Sequence, residues 1–248
     1  MAEADPKSGP SETRAVFATT HWSVVLAAGA GGTPQAAEAL AHLCRTYWYP
    51  LYAYLRRQGR TPHDAQDLTQ GFFAQLIERD SLGQVQGRSK FRSFLLGALK
   101  NFVASEWHHA RRLKRGGGTE ILSLNETDGE GRYRLEPADD LTPEKLFDRR
   151  WAMTLLEQTL AKLGEECRAA GKDDLFAHLK GTLTADGAEA SYTEISARLR
   201  MSEGAVKVAA HRLRQRYGEL LRQEIAQTVT SESEMRDEIH ELFAALAA

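Results

Sequence analysis

The sequence predicts an all-α protein: two helical domains joined by a flexible linker, with a short helix at the C-terminal end. The 248-residue chain contains 30 leucines against 13 isoleucines and valines taken together. Leucine favours helices, whereas β-branched residues favour strands. No proline occurs in the 105 residues after Pro143, so nothing there interrupts a helix. Apolar residues also recur at helical spacing along most of both halves.

The composition excludes several protein classes. Charged residues make up 27% of the chain, hydrophobic residues 42%, and the net charge is −2, which is unlike collagen-like, mucin-like or fully disordered chains. There is no apolar run of about 18 residues and the first residues are polar, so we expect neither a membrane span nor a signal peptide. Two cysteines, Cys44 and Cys167, are too few for a disulfide framework, and we therefore expect a cytoplasmic protein.

The near-zero net charge hides a segregation of charge along the chain. Residues 88–115 carry +7 and residues 191–224 carry +3, whereas the region 116–150 carries −4. A polyanion would therefore meet two basic segments. The acidic region begins with glycine- and proline-rich sequence that lacks helical periodicity, which predicts a linker. The predicted divisions are a disordered N-terminus (1–15), a first helical domain (16–115), the linker (116–143), a second helical domain (144–228) and an amphipathic C-terminal helix (229–248).

The first domain begins with two expected helical segments. The apolar segment Phe17–Leu26 is expected to form or cap a helix that packs on this domain. Apolar residues from Leu40 to Leu51 then follow helical spacing, and we expect Pro50 to kink or break that helix near Tyr49.

Next comes an acidic amphipathic helix. In the stretch DAQDLTQGFFAQLI, which starts at Asp64, apolar side chains cover a wide face and acidic and amide side chains occupy the polar sides. Phe72 and Phe73 together exceed what one buried stripe needs, which indicates a partner-binding helix. The alternative is an ordinary amphipathic helix with a capping acid.

A third segment mixes aromatic and basic residues. FRSFLLGALKNFVASEW starts at Phe91 and leads into a basic tail that ends at Arg115. Bases stack on aromatic rings while cations follow phosphates, so the pattern suits single-stranded nucleic acid. The alternative is that the aromatic residues belong to the core and the cations to a solvated helix end.

The second domain carries a helix-turn-helix pattern. Ser191 and Glu194 form a predicted capping box, and Ser202 is placed to cap a second helix a few residues after the first ends. Met201 is placed to staple onto Val206. Two short helices with such a turn are typical of duplex DNA-binding proteins.

The second helix of this pattern has two predicted faces. A four-residue repeat places one set inward: Ala205, Ala209, Leu213 and Tyr217. Lys207, His211 and Arg214 lie on the opposite side, with Glu203 one turn before them. Such an outer face offers cations to phosphates and donors and acceptors to base edges in a major groove.

In this order, the segments resemble the sigma-70 family of transcription initiation factors, specifically its extracytoplasmic-function subgroup. The DAQDLTQGFF and FRSFLLGALKNFVASEW segments resemble region 2, and MSEGAVK resembles the start of the region 4 recognition helix. The family often has a second acid where Gln66 stands and usually has glycine where Arg200 stands. The resemblance implies that residues 16–115 dock on polymerase and recognise the minus-10 element, and that residues 144–228 read the minus-35 element.

The resemblance also implies three sets of binding residues. Those for polymerase docking are Asp64, Asp67, Leu68, Gln70 and Phe73. Those for the minus-10 element are Ser89, Lys90, Phe91, Lys100, Asn101, Ser105, Arg111 and Arg112. Those for the minus-35 element are Arg200, Ser202, Glu203, Lys207, His211 and Arg214. The implied partners are core RNA polymerase, through its β′ clamp helices and β flap, and promoter DNA, with an anti-sigma factor or a regulatory kinase as further candidates.

Two other functions, a stand-alone DNA-binding regulator and an enzyme, explain less of the sequence. A stand-alone helix-turn-helix regulator would leave the acidic helix and the aromatic–basic segment without a role. An enzyme would need a catalytic signature, and the His63–Asp64 pair lacks the further ligands of a metal-dependent phosphohydrolase, so we expect no catalytic activity, metal or cofactor.

The C-terminal helix leaves two alternatives open. It begins with a second predicted capping box, Ser231 with Glu234, and continues with apolar residues at helical spacing, including Phe243. It either docks on a sigma domain and regulates access to polymerase, or it extends the core of the second domain.

Overall fold

A computed structural model gives the structure of residues 21–22, 33–78, 90–112, 129–134, 141–183 and 191–247. Regular structure over these residues is entirely helical, which confirms the all-α prediction. The helices are α1 (Pro34–Arg57), α2 (Pro62–Glu78), α3 (Phe91–Arg112), α4 (Gly129–Arg134), α5 (Pro143–Ala169), α6 (Asp173–Leu179), a 3-10 turn (Lys180–Thr182), α7 (Tyr192–Leu199), α8 (Glu203–Ala226) and α9 (Glu232–Ala247). The predicted disordered N-terminus, 1–15, lies outside the described residues.

The chain divides into two compact units. Unit 1 comprises Met1–Ala152 and Ile225–Ala248, and unit 2 comprises Met153–Glu224. The chain therefore passes from unit 1 to unit 2 within α5 and returns within α8. The predicted boundaries, 144 and 228, lie a few residues outside the boundaries of unit 2, because two continuous helices carry the chain from one unit to the other.

Helix α1 forms the centre of unit 1 and continues through Pro50 without a break. Of the predicted kink or break near Tyr49, the break is wrong. Proline removes one backbone hydrogen bond, but the flanking side chains of Leu51, Ala53 and Leu55 are completely buried. Tertiary packing of this segment outweighs the lost bond. Cys44 is also buried here, and burial raises the pKa of its thiol, as expected of a core residue.

Trp22 packs into the same core. Its side chain is completely buried, its ring centroid lies 4.9 Å from that of Phe91, and its backbone N–H donates to the carbonyl of Gln227 at 3.0 Å. For the described pair, His21 and Trp22, the expected packing of the N-terminal apolar segment on the first domain is confirmed.

Part of the predicted flexible linker is a helix held in unit 1. The Glu130 side chain of α4 accepts hydrogen bonds from the Tyr52 hydroxyl at 2.7 Å and from Arg56 Nε and Nη2 at 3.0 and 3.1 Å. Gly129 lies so close to the Trp48 ring that a Cβ atom there would be 3.0 Å from it. The prediction of a flexible linker is therefore wrong for residues 129–134, which are called the strap below. This acidic, glycine-rich segment forms specific contacts with α1 that its composition does not indicate.

Unit 2 has its own core, centred on Leu163, Leu179, Ile195 and Val206. The predicted capping box of α7 is present, since Glu194 N–H donates to Ser191 Oγ at 3.2 Å and Ser191 N–H donates to Glu194 Oε2 at 2.9 Å. Both helices of the helix-turn-helix thus begin after their predicted caps, whereas α8, at 24 residues, is longer than the short helix that was predicted.

Helix α9 belongs to unit 1, so the alternative in which it extends the core of the second domain is wrong. Its first turn is capped as predicted by Ser231, whose Oγ accepts from Glu234 N–H at 3.3 Å. The Glu234 carboxylate, however, accepts from the N–H and hydroxyl of Thr230 at 2.8 and 2.9 Å. Phe243, expected on the apolar face, is 61% exposed, because α9 buries Glu238, Leu242 and Ala245 instead.

Candidate polymerase and nucleic-acid interfaces

The acidic surface of α2 is open to solvent. Asp64 and Asp67 are exposed, while Leu68 and Gln70 are half-buried. Thr61 caps the helix, because Asp64 N–H donates to Thr61 Oγ1 at 3.1 Å while the Thr61 hydroxyl donates to Asp64 Oδ2 at 2.7 Å. His63 Nδ1 lies 3.5 Å from Asp67 Oδ1, one turn along the same helix. The polar side predicted to meet polymerase therefore presents two exposed carboxylates, of which Asp64 is held at the helix start by Thr61.

Phe73 is not part of that surface. It is 2% exposed, and its ring centroid lies 5.5 Å from that of Phe72, which is 3% exposed. Helix α2 contacts both α1 and α3 and so needs a wider apolar face than one neighbour requires. The assignment of Phe73 to polymerase binding is wrong, and the inference of a partner site from two adjacent phenylalanines fails with it.

The middle of α3 presents polar residues to solvent. Lys100, Asn101 and Ser105, which the resemblance assigns to the minus-10 element, are exposed. The Lys100 ammonium donates to Glu144 Oε1 at 2.8 Å, and this hydrogen bond raises the pKa of Lys100. Arg111 and Arg112 form the last turn of α3, and their side chains lie outside the description, as does the whole of Ser89.

The start of α3 differs from the prediction. Phe91, expected to line the minus-10 pocket, is completely buried, with its centroid 5.1 Å from that of Tyr47. Phe91 is therefore a core residue of unit 1, because the rings of Trp22 and Tyr47 pack against it. Lys90 is only 15% exposed and lies 2.8 Å from Glu241 Oε1 and 3.4 Å from Glu238 Oε2, both on α9.

Helix α8 has three faces in unit 2. The buried face consists of Val206, Ala210, Leu213 and Leu220. Ala205 and Ala209, predicted to face inward, are half-exposed, so the predicted inward stripe is displaced by one residue at its start. The predicted outer residues Ser202, Glu203, Lys207, His211 and Arg214 are all exposed.

The exposed face of α8 contains two charged contacts. The Lys207 ammonium lies 2.6 Å from Glu203 Oε1, which raises the pKa of Lys207 through a hydrogen bond. Arg214 donates to the Thr182 carbonyl at 3.2 Å and to the Tyr192 hydroxyl at 2.8 Å. Lys207 is therefore the more available cation for a DNA contact, whereas Arg214 also stabilises the preceding helices.

The turn before α8 adopts the geometry that glycine usually provides. Arg200 ends α7 with φ 53° and ψ 38°, the left-handed conformation. Its N–H still donates to the Ser196 carbonyl, and Ser202 Oγ accepts from Ala205 N–H at 3.2 Å to begin α8. The turn is therefore preserved with arginine, which also leaves the Arg200 side chain exposed.

The third face of α8 lines an apolar groove of about 630 Å³ in unit 2. Leu163 and Cys167 of α5 form one wall, and Ala205, Val208 and Ala209 of α8 form the other. Val208 is 51% exposed, which is unusual for a large apolar side chain. The basic residues Lys172 and Arg212 stand at its rim.

Two segments of unit 1, α9 and the strap, are held by charged side chains that the sequence pattern did not indicate. Arg92 pairs with Glu238 and Arg56 pairs with Glu130, over sequence separations of 146 and 74 residues. Helical spacing placed none of these four side chains at a site. A charged residue on an otherwise apolar face, such as Glu238 among the apolar residues of α9, was the available signal.

Comparisons with protein-family models, with curated proteins and with solved structures gave no match. Over the described residues, no cluster of three or more histidine, cysteine or acidic side chains is suited to hold a metal ion. Across the same residues, none of the helices has the length and apolar character needed to cross a bilayer.

Proposed function

We propose that this chain is a sigma factor of the extracytoplasmic-function type, without chemistry of its own. It binds core RNA polymerase through the acidic side of α2 in unit 1. It recognises and helps to melt minus-10 DNA with the α3 region, and it reads the minus-35 element with α8 of unit 2. The observation that carries the proposal is the division of the predicted motifs between two compact units, with the acidic residues of α2, the middle of α3 and the outer face of α8 exposed.

The helix-turn-helix supplies the clearest physical support. Its capping box, left-handed turn and buried Val206–Ala210–Leu213 stripe fix α8 on unit 2 while leaving the predicted base-reading face free. A helix presented in this way fits the major groove, where side chains can reach base edges.

The apolar groove of unit 2 supports a second polymerase contact. It lies on a side of α8 other than the one that carries Lys207 and His211, so a partner bound in the groove leaves the DNA-facing side open. A helix with an apolar stripe is the occupant that such a groove fits. We assign it to the β flap of polymerase.

The docking side of α2 is tested by reversing its charge. We expect Asp64→Arg combined with Asp67→Arg to abolish co-elution with core polymerase, because two attractive charges become repulsive at the interface. The control is Asp173→Arg with Asp174→Arg, which makes the same change in charge at an exposed acidic pair in the first turn of α6. Circular dichroism checks that both variants remain folded. Equal co-elution of the α2 variant and the control rejects the docking face.

The stand-alone regulator is distinguished by the same assay. A regulator of that kind binds duplex DNA without polymerase and shows no co-elution even as wild type. A sigma factor co-elutes, and its promoter binding depends on the polymerase.

A further inference from the structure

The start of α3 is covered by the C-terminal segment of the chain. Phe91 N–H donates to the Thr228 carbonyl at 3.0 Å, and the two basic residues on either side of Phe91, Lys90 and Arg92, both meet carboxylates of α9. All these residues belong to unit 1. A surface predicted to meet DNA phosphates thus carries acidic side chains from the other end of the chain.

The inner of the two cations holds α9 in place. Arg92 Nε donates to Glu238 Oε1 at 3.1 Å and Arg92 Nη2 donates to Glu238 Oε2 at 2.9 Å, a bidentate pair. Glu238 is completely buried and Arg92 is 6% exposed, and the guanidinium stacks 4.3 Å from the Trp151 ring centroid. Breaking a buried pair leaves an uncompensated charge, so α9 remains attached as part of unit 1.

The outer cation, Lys90, is paired less tightly. Its ammonium lies 2.8 Å from Glu241 Oε1, and the Glu241 side chain is 48% exposed, as expected at the edge of the contact. Glu241 also contacts Arg92, so its carboxylate is held beside Lys90 rather than free in solution. A phosphate oxygen of DNA and this carboxylate are both anionic acceptors for one ammonium. The carboxylate takes up one of its three N–H donors and neutralises its charge, so it weakens the attraction of Lys90 for a phosphate.

We propose that Glu241 is an internal competitor for DNA at Lys90, so that α9 lowers the affinity of the α3 start for single-stranded DNA. This inference rests on the proposed function for its ligand, the strand exposed in a melted promoter. Glu241 is a positioning residue, because it acts through Lys90 and does not itself contact DNA. Helix α9 stays attached throughout, since only the Lys90 side chain has to change rotamer.

The expected effect is modest and measurable. An ion pair near the surface shifts an equilibrium by about two- to fivefold when its competitor is removed. Each additional phosphate contact on a single strand makes the dependence of log K on log salt steeper by about 0.7. Removing the competitor therefore changes both the affinity and its salt dependence.

The test uses the full chain and a fluorescein-labelled pool of random-sequence 20-nucleotide single-stranded DNA, measured by anisotropy over a salt series. Glu241→Gln keeps the size of the side chain and removes its charge. Asp237→Asn, at an exposed position on the same helix, makes the same change in net charge away from the α3 start and is the matched control. We expect Glu241→Gln to bind two- to fivefold more tightly than the control, with the steeper salt dependence. Adding Lys90→Gln to Glu241→Gln should remove the gain.

Two results overturn the proposal. One is equal affinity of Glu241→Gln and Asp237→Asn, including no measurable binding by either. The other is a gain that persists after Lys90→Gln. Thermal unfolding of every variant separates these results from misfolding. The assay contains no polymerase, so its failure leaves the polymerase proposal standing, and failure of the polymerase assay leaves this result interpretable.

Discussion

Arginine at position 200 is expected to lower the stability of the turn and to favour the proposed binding of DNA. Its left-handed conformation, φ 53°, costs a non-glycine residue about 1–2 kcal/mol. The chain retains this cost in the turn of its proposed DNA-reading motif. An exposed cation at the start of a recognition helix offers a phosphate contact, which gives a physical reason for arginine at this position.

Replacing this residue separates the two demands. We expect Arg200→Gly to stabilise unit 2 by about 0.5–1 kcal/mol, because the relief of strain exceeds the added entropy of the unfolded chain. The same variant should bind promoter DNA more weakly, with a salt slope reduced by about 0.9 for one lost duplex phosphate contact. Denaturant unfolding of the chain, and titration of promoter DNA with the chain bound to core polymerase, measure the two effects. Arg200→Ala is the control, since it loses the cation and keeps the strain. A destabilised Arg200→Gly contradicts the assignment of strain.

Lys207 and Arg214 are expected to differ although both are exposed on one face. Lys207→Ala should weaken minus-35 binding, by about 1–3 kcal/mol for a base contact, and leave stability unchanged, because its contact within the chain is with Glu203 one turn away. Arg214→Ala should weaken binding and also lower the stability of unit 2 by about 1 kcal/mol, because its bonds to Thr182 and Tyr192 are lost. Filter binding of promoter DNA by the chain bound to core polymerase, and thermal unfolding of the chain alone, distinguish the two variants. Unchanged DNA binding by both variants rejects the recognition face.

At the scale of single elements, the sequence predicted what local chemistry decides. The Ser191–Glu194 capping box and the cap at Ser202 depend on residues three positions apart, and both are present. Pro50 and the stripe of α8 were misjudged because their outcome depends on neighbouring helices. Alanine is small enough to occur in a core, in a groove or on the surface. The four-residue spacing of Ala205 and Ala209 therefore does not predict which face of α8 is buried.

The strap is an element whose stability depends on pH. The hydrogen bond from Arg56 lowers the pKa of Glu130 below its ordinary value of about 4.3. A lowered pKa in the folded state means that the stabilisation is complete above the ordinary value and is lost as the pH falls through the folded value. We therefore expect residues 129–134 to lose hydrogen-exchange protection as the pH falls below about 4.3.

A single substitution should produce the same loss at neutral pH. Glu130→Gln removes the charge that pairs with Arg56 and should reduce the local opening free energy of the strap by roughly 1–2 kcal/mol. Glu106→Gln, the same change at an exposed position of α3, is the control. Equal protection in both variants means that the Gly129–Trp48 contact, not the ion pair, holds the strap.

For the molecule as a whole, the sequence pattern indicates two helical units but does not indicate that the C-terminal helix α9 belongs to unit 1. Helical composition, charge segregation and motif order follow from the residues themselves. The membership of α9 in unit 1 depends on the pairing of Arg92 with Glu238, 146 positions apart, and no periodicity signals such a pairing. Whether a charged side chain is buried in an ion pair with a distant residue can be decided only from a structure that contains both partners.

If this chain directs core RNA polymerase to promoters, as we propose, it should support specific initiation with the purified enzyme. Run-off transcription in vitro with core polymerase and the DNA upstream of the chain's own gene measures this. We expect a discrete transcript that requires both the chain and the polymerase and that disappears with Asp64→Arg and Asp67→Arg. The absence of any transcript above that of core polymerase alone, with a chain that nonetheless binds duplex DNA unaided, would contradict it.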